Sequence, residues 1–338
     1  MNGDDTVYDV VGVGNALVDV LGKVSDKFLS ERNLKKGAMT LVDAKTAGVI
    51  YNDMIVERQV SGGSVANTMA GLASLGNDCA FIGKVYDDVL GQDFKRDIGA
   101  VGVDFDTLPL LEGPATGRSI VLVTPDAERS MFTYLGAAKR LNAGDINEEI
   151  IKVSKYVFLE SYLFDVEDSQ KALLKAAEIA HKYGRKVALT LSDEAYIEEH
   201  RAQMLDFIEK HVDILFSNEY EIMALLGKTN LLDALDEIKT KVDIASVTRN
   251  VKGSVVVSGR IKSFIEAETV PDVVDSTGAG DLYAAGFMHG LLAGKPLGVC
   301  AVIGSIAASE VITHYGARPE ISLKSLIRRR LMLYSLNV

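Results

Sequence analysis

Seven residues, Asp275-Ser276-Thr277-Gly278-Ala279-Gly280-Asp281, set two acids at the ends of a stretch with almost no side chain. An apolar helical run over 282–292 follows at once. A chain that enters a helix through bare backbone presents N–H groups with no intrahelical partner. Such nests bind anions, phosphate above all. A carboxylate beside a phosphate repels it, so Asp281 needs a chemical reason to be there. Taking the proton of a hydroxyl that attacks phosphorus is such a reason. The helix N-terminus favours the Asp281 anion, which makes it a weak base that accepts its proton late.

Other turns carry polar side chains. Gly12-Val13-Gly14-Asn15-Ala16-Leu17 follows a strand pattern, but Leu17 stands where a dinucleotide fingerprint needs its third glycine. Asn15 and Asp19 then end a strand inside a cleft and suit sugar hydroxyls, or they are a turn and a surface acid. In Ser61-Gly62-Gly63-Ser64-Val65-Ala66-Asn67 the glycines admit a ligand close to the backbone, and Asn67 falls one turn into a helix. The alternative is a plain helix cap by Ser64. Neither glycine turn is a Walker A loop, since no G-x-x-x-x-G-K-[ST] occurs. Asn218 and Glu221 share one helical face and read either as a hydrated Mg2+ site or as acids favoured by a helix dipole. The turn Thr248-Arg249-Asn250-Val251-Lys252-Gly253 reads as a nucleotide-phosphate loop or a solvated hairpin. Arg129 is a further cation to neutralise a transferred phosphoryl. Arg328-Arg329-Arg330 is a solvated helix face.

The elements that must position these groups come from an ordinary globular composition. Of 338 residues, 48% are apolar and 25% charged, with a net charge of −11. That charge argues against a nucleic-acid or anionic-membrane surface. The two cysteines, Cys79 and Cys300, lie in apolar surroundings and read as reduced core thiols. Residues 1–5 are polar and acidic, unlike a signal peptide. The apolar run 299–312 is too short to span a bilayer and contains Glu310. The five histidines show no metal-ligand spacing.

Strands are predicted at 8–13, 79–83, 156–159, 186–191, 213–216, 244–247 and 253–257. Helices are predicted at 64–76, 88–101, 168–183, 195–210 and 219–226. This alternation argues a largely parallel sheet with helices on both faces and ligands at its carboxyl edge. Two segments, about 16–62 and 108–136, break the alternation. The second has period-2 patterning in Arg118-Ser119-Ile120-Val121-Leu122-Val123. They are expected to form a small sheet that covers the site as a lid and excludes water, or else ordinary edge hairpins.

Taken in order, these segments resemble the ribokinase-like (PfkB) carbohydrate kinase family across nearly the whole chain. The stretch 275–281 with Ala284-Ala285-Gly286-Phe287 carries the resemblance most specifically. Gly62-Gly63 with Asn67, and Asn218-x-x-Glu221, support it. The substrate end is most similar to the adenosine kinase branch, through Gly14-Asn15-x-x-x-Asp19, Gly62-Gly63-Ser64-x-x-Asn67 and Arg129-Ser130.

The resemblance implies one ribokinase-like α/β domain over 1–338, in three layers with a small β-sheet lid. It implies Asp281 as the base for a 5′-hydroxyl. Gly278, Ala279, Gly280 and Asp281 N–H groups form the hole for the γ-phosphate, and Arg129 closes over it. Asp19 and Asn67 hold ribose hydroxyls, with Asn15, Gly62, Gly63 and Ser64 beside them and Met131, Thr133 and Tyr162 toward the base. Asn218 and Glu221 organise hydrated Mg2+ and phosphates, and Thr248, Asn250 and Gly253 approach ATP. Asp275 and Thr277 form a monovalent-cation site, with K+ as its ion.

The implied reaction moves the γ-phosphoryl of Mg·ATP to a primary hydroxyl, foremost adenosine 5′-OH, giving AMP in cytoplasmic purine salvage. A ribokinase- or fructokinase-like sugar kinase and a catalytically silent nucleotide-binding protein are the alternatives. The implied partners are ATP and a nucleoside or sugar, with the chain a monomer or homodimer. Departures from the branch are Ser276, the segment Ser161-Tyr162-Leu163-Phe164, and Met131 and Thr133 at commonly aliphatic positions. They leave the base specificity open.

Overall fold

The computed structural model describes residues 6–37, 39–126 and 128–334. Residues 1–5, on which the signal-peptide reading rests, lie outside the described residues. The first strands are β1 (Tyr8–Val13), β2 (Leu17–Lys23), β3 (Met39–Leu41), β4 (Arg58–Gly62), β5 (Cys79–Ile82), β6 (Val103–Asp104) and β7 (Gly117–Val123). They are followed by β8 (Arg129–Tyr134), β9 (Ser154–Glu160), β10 (Lys186–Thr190), β11 (Ile214–Asn218), β12 (Ile244–Thr248), β13 (Ser254–Ser258) and β14 (Ile261–Ile265).

Nine strands form one sheet in the order β14-β13-β12-β11-β10-β9-β1-β5-β6. Pairing is parallel from β12 to β6 and antiparallel from β12 to β14. The parallel strands are buried on both faces, which is why Val157-Phe158-Leu159 reads as a continuous apolar run. Val157 and Leu159 face a core shared with the helix Glu167–Lys182. Phe158 faces the opposite core, which includes Phe216 and Phe287. The helices Ala279–Leu292 and Leu297–Val311 pack together on that side. The second of these is the predicted apolar run, and among the described residues no helix is long and apolar enough to cross a membrane.

The carboxyl ends of the parallel strands converge on one edge. There β1 runs out at Val13 just before Asn15, β9 ends at Glu160, β11 at Asn218 and β12 at Thr248. The chain after β1 turns into another strand rather than a helix, which bears out the rejection of a dinucleotide loop.

The second sheet has the order β3-β8-β7-β2-β4. Alternation divides its faces. Val18, Val20, Ile120, Leu122 and Phe132 pack in one core with Leu29 of the helix Asp26–Glu31 and Ala47 and Ile50 of the helix Ala44–Asp53. The sequence reading left this segment strand-rich and missed both helices. Their signals were local: Ser25 and Asp43 cap them by accepting from Phe28 N and Thr46 N at 3.2 and 2.7 Å. The opposite face carries Asp19, Ser119, Thr133, Leu21, Val121 and Met131. The edge strand β14 was also missed, because its residues are exposed or half-buried and show no alternation of apolar character.

Phe287 is fully buried and meets the Phe216 ring edge-on, with centroids 5.4 Å apart. Phe287→Ala is expected to lower stability by about 3–5 kcal/mol, measured by chemical denaturation followed by circular dichroism.

Candidate active site

The helix Ala279–Leu292 begins at Gly278, whose φ of 79° favours glycine. A Cβ there would lie 2.5 Å from Ala317 Cβ, so the turn and residue 317 are in direct contact. No side chain caps this helix. Ala279 N–H donates to Ser276 O at 3.2 Å, which removes it from the expected anion hole. The N–H groups of Gly278, Gly280 and Asp281 make no hydrogen bond to any described residue.

Asp281 faces the other glycine turn. Ser64 Oγ donates to its Oδ1 at 2.7 Å, and Asn67 Nδ2 donates to its Oδ2 at 3.0 Å. Burial pushes the Asp281 carboxyl up to about 6, against the pull of those two donors and of the Arg318 charge. Desolvation is the largest of these influences, and a carboxylate with this proton affinity is still a weak base toward an alcohol. The contact with Asp281 also decides the role of Ser64. The helix Ser64–Ser74 is capped at Gly63 without a side chain, so the Ser64 hydroxyl serves Asp281 and not a cap.

Gly63 has φ 100°, and a Cβ there would lie 2.2 Å from Asn15 O. Asn15 is held from beneath. Its N and Nδ2 donate to Glu160 Oε1 at 2.8 and 2.7 Å, and Val65 N donates to Glu160 Oε2 at 3.2 Å. Glu160 is 1% exposed, and burial pushes its carboxyl up to about 7. The Asn15 amide thus donates to Glu160, a partner that neither a sugar-facing amide nor a plain turn would have suggested. Glu160 itself was missed; its signal was a single acid directly after the apolar run Tyr156-Val157-Phe158-Leu159.

Gly62 makes room for Asp19, since a Cβ at 62 would lie 2.3 Å from the Asp19 carboxyl carbon. Burial pushes Asp19 up to about 7; the Arg318 and Arg129 charges oppose the shift and that of Asp281 adds to it. On the small sheet Asp19 stands level with Val60 and Ser119, and Ser119 with Thr133. Ser119 Oγ and Thr133 Oγ1 lie 3.2 Å apart. The next row is apolar: Leu21, Val121 and Met131. Asp19, Val60 and Met131 line a cleft whose opposite wall includes Thr277, Ala317 and Arg318.

Arg129 reaches across from β8. Its Nη1 pairs with Asp275 Oδ1 and donates to Thr277 Oγ1 at 2.8 Å. Asp275 also accepts from Thr277 N at 2.7 Å and Gly316 N at 2.9 Å. The pair expected to hold a monovalent cation is therefore engaged by a side-chain cation.

The remaining expected residues have no hydrogen bond to the Asp281 cluster. Asn218 and Glu221 form a reciprocal capping box: Asn218 Oδ1 accepts from Glu221 N, and Glu221 Oε2 from Asn218 N, both at 2.8 Å. Asn218 is thus the cap itself and lies outside the helix. Burial, with Asp193 and Glu194 nearby, pushes Glu221 up to about 7. Asn250 and Gly253, with φ of 50° and 80°, close the hairpin between β12 and β13, and Thr248 Oγ1 donates to Ser217 O at 3.4 Å. Arg249 and Lys252 of that turn lie 3.7 and 3.6 Å from Glu219. Tyr162 packs edge-on against Tyr196, with centroids 5.3 Å apart, while Leu163 and Phe164 are core residues. Cys79 and Cys300 are free and buried, and burial pushes both thiols up. Among the described residues no group of three or more His, Cys, Asp or Glu could hold a metal.

A parallel sheet with acids gathered at its carboxyl edge, a bare helix entry and a small sheet across the cleft define a ribokinase-like α/β protein. The chain belongs to the pfkB family of carbohydrate kinases, which matches residues 51–323. The adenosine kinase structure from Sinorhizobium meliloti is 43% identical, with a TM-score of 0.89 over 96% of this chain and 99% of that one. Guanosine-inosine kinase from Escherichia coli (strain K12) is 30% identical over 250 residues, 71% of this chain. The match spans 57% of that relative's length. 5-Dehydro-2-deoxygluconokinase from Halalkalibacterium halodurans is 27% identical over 93% of this chain and 91% of the relative.

Asp19, Glu160, Glu221 and Asp281 all hold their protons to a higher pH than their ordinary values of 3.8 or 4.5. Between about pH 4 and pH 7 the folded protein then binds more protons than the unfolded chain, so stability falls as pH rises. Thermal denaturation is expected to show this decline, and Glu160→Gln to make it shallower.

Proposed function

We propose that the protein transfers the γ-phosphoryl of Mg·ATP to the 5′-hydroxyl of adenosine, giving AMP in a purine-salvage reaction. The pairing of Asp281 with Ser64 and Asn67 carries this reading. It sets the acid of the phosphate-binding turn against the turn that holds the acceptor. The apolar row Leu21, Val121 and Met131 beyond Asp19 favours a nucleobase over a bare sugar, and the 43% identity to an adenosine kinase agrees with it.

In this reading Asp19 accepts from the ribose hydroxyls and orients the 5′-oxygen. The anion at the helix entry is met by the N–H groups of Gly278, Gly280 and Asp281. As the new O–P bond forms and the bond to the β-phosphate oxygen breaks, Asp281 takes the hydroxyl proton and ADP leaves. The transition state is loose, so positioning and charge neutralisation dominate. Arg129, beside Thr277, is placed to offset charge on the transferred group. The small sheet acts as a lid that excludes water.

Glu221 and Asn218 suit a hydrated Mg2+. Glu221 is a buried carboxyl with two acids nearby, and Mg2+ commonly keeps several waters and takes few protein ligands. Bound there, the ion neutralises phosphate charge. The Asp275 carboxylate and the Thr277 hydroxyl oxygen already accept from Arg129, so no step is assigned to K+.

One observation favours a sugar acceptor instead: the Ser119 and Thr133 hydroxyls stand in the same row as Asp19. ADP release measured over adenosine, inosine, guanosine, ribose, fructose and 5-dehydro-2-deoxygluconate separates the two. Adenosine is expected to lead; turnover of a sugar with none of adenosine overturns the choice.

Asp281→Asn is expected to lower kcat by about 10²–10⁴-fold, the usual worth of a general base. The acceptor KM should change little. With the Asp281 carboxyl at about 6, the wild-type rate should fall as pH drops through that value. Steady-state kinetics across pH check both outcomes.

A further inference from the structure

Arg318 is a buried cation beside the proposed site, 7% exposed. We propose that Arg318 is a positioning residue that clamps the acceptor-holding turn at 61–66 to the phosphate-binding turn at 275–281. This rests on the phosphotransfer reading above.

The geometry comes from three consecutive residues. Gly316 N donates to Asp275 Oδ2 at 2.9 Å. Ala317 packs against Gly278, where a Cβ would lie 2.5 Å away. Arg318 then turns its guanidinium to the other turn. Nε and Nη2 donate to Ser61 O at 3.1 and 2.6 Å, Nη2 also to Ser61 Oγ at 2.9 Å, and Nη1 to Ala66 O at 2.9 Å. One tripeptide thus touches both turns.

The 61–66 turn is held at Val65 by Glu160 and at Ser64 by Asp281, and among the described residues Arg318 alone bridges its two ends, Ser61 and Ala66. Gly62 and Gly63 have no side chains, and no side chain caps the helix that follows. Ser61 is gripped from its other side, with N and Oγ both donating to Asp97 Oδ2 at 2.6 Å. Arg318 and Asp97 therefore hold Ser61 between them. Two carbonyls at fixed separation suit the planar guanidinium fork, which lysine lacks.

The clamp is also a charge. Asp19 of β2, Asp97 of the helix Val89–Ala100 and Asp281 of the helix Ala279–Leu292 face it, and Arg58 of β4 opposes it. Its positive charge lowers the proton affinity of both Asp19 and Asp281. Desolvation pushes both carboxyls up, and Arg318 opposes that push.

The test compares Arg318→Lys and Arg318→Met with the wild-type protein. Amide hydrogen exchange is measured without substrate, and kcat and KM are measured across pH with the best acceptor. Both variants are expected to exchange faster at 61–66 than elsewhere, and to lose about 100-fold in kcat/KM for the acceptor, as misplaced reactants do. Arg318→Lys should leave the acid limb of the rate profile in place. Arg318→Met should move it up by about one pH unit, the effect of removing a nearby opposite charge. Unchanged exchange at 61–66, or exchange raised evenly along the chain, overturns the clamp. An unmoved limb in Arg318→Met overturns its electrostatic part. If Arg318→Met does not fold, the exchange and kinetics of Arg318→Lys decide the clamp. A wild-type protein that phosphorylates no acceptor overturns the phosphotransfer reading instead, and the exchange result still judges the clamp.

Discussion

Glu160 and Glu221 are buried and Asp19 and Asp281 half-buried at the working end of this fold, and the rest of the site is arranged around the cost of desolvating these four carboxyl groups. Asp19, Glu160, Glu221 and Asp281 are all pushed up by burial. Each is compensated by a different device. Glu160 accepts from three N–H groups of Asn15 and Val65. Glu221 is held within its own capping box. Asp281 takes a hydroxyl and an amide from the opposite turn. Asp19 accepts no hydrogen bond from the described residues and relies on the charges of Arg318 and Arg129. A buried acid left unsatisfied costs several kcal/mol, so losing any of these partners should disturb the acid before it disturbs the fold.

That arrangement explains why bare backbone and buried acids occur together. At the glycines of the turns 61–66 and 275–281 the backbone has no side chain to define its shape, yet phosphate and hydroxyl chemistry demands fixed geometry. The donors that satisfy the acids also fix the turns. Ser64 and Asn67 locate Asp281 and, in doing so, locate the helix they belong to. Gly316 N and Thr277 N hold Asp275. Electrostatic compensation and preorganisation are thus the same contacts.

Much of the layout was legible because its signals are local. Alternating strands and helices gave the large sheet, and two bare turns marked where ligands approach. Asn218 and Glu221 lie three residues apart, so their proximity could be foreseen, although the capping box they form was neither of the two readings offered for them. What was missed depends on distant partners. Glu160 matters through Asn15, 145 positions away, and Arg318 through Ser61, 257 positions away. Nothing near either residue announces its partner. Ser64 looked like a helix cap because caps are local, whereas its acceptor lies 217 positions on. The upward shift of the Asp281 carboxyl was out of reach for the same reason. The helix N-terminus can be read from neighbouring residues, but burial depends on the whole fold.

Acceptor choice follows from which of these groups remain unmet. Ser119 and Thr133 are 3.2 Å apart and can satisfy each other. A hydroxyl pair of that kind can face an apolar base without an orphaned donor, and can also turn toward a polar ligand, so it discriminates weakly. Leu21, Val121 and Met131 reject little either, since apolar walls distinguish poorly between ligands of similar size. Asp19 differs: it is half-buried, no described residue donates to its carboxylate, and a ligand's hydroxyls take the place of water there. A buried group built to be hydrogen-bonded penalises any ligand that fails to do so. The strictest demand at this end of the cleft should therefore fall on the hydroxyls of the acceptor's sugar, with the base tolerated more than selected. That ordering fits a family whose named relatives act on different nucleosides and on a sugar acid.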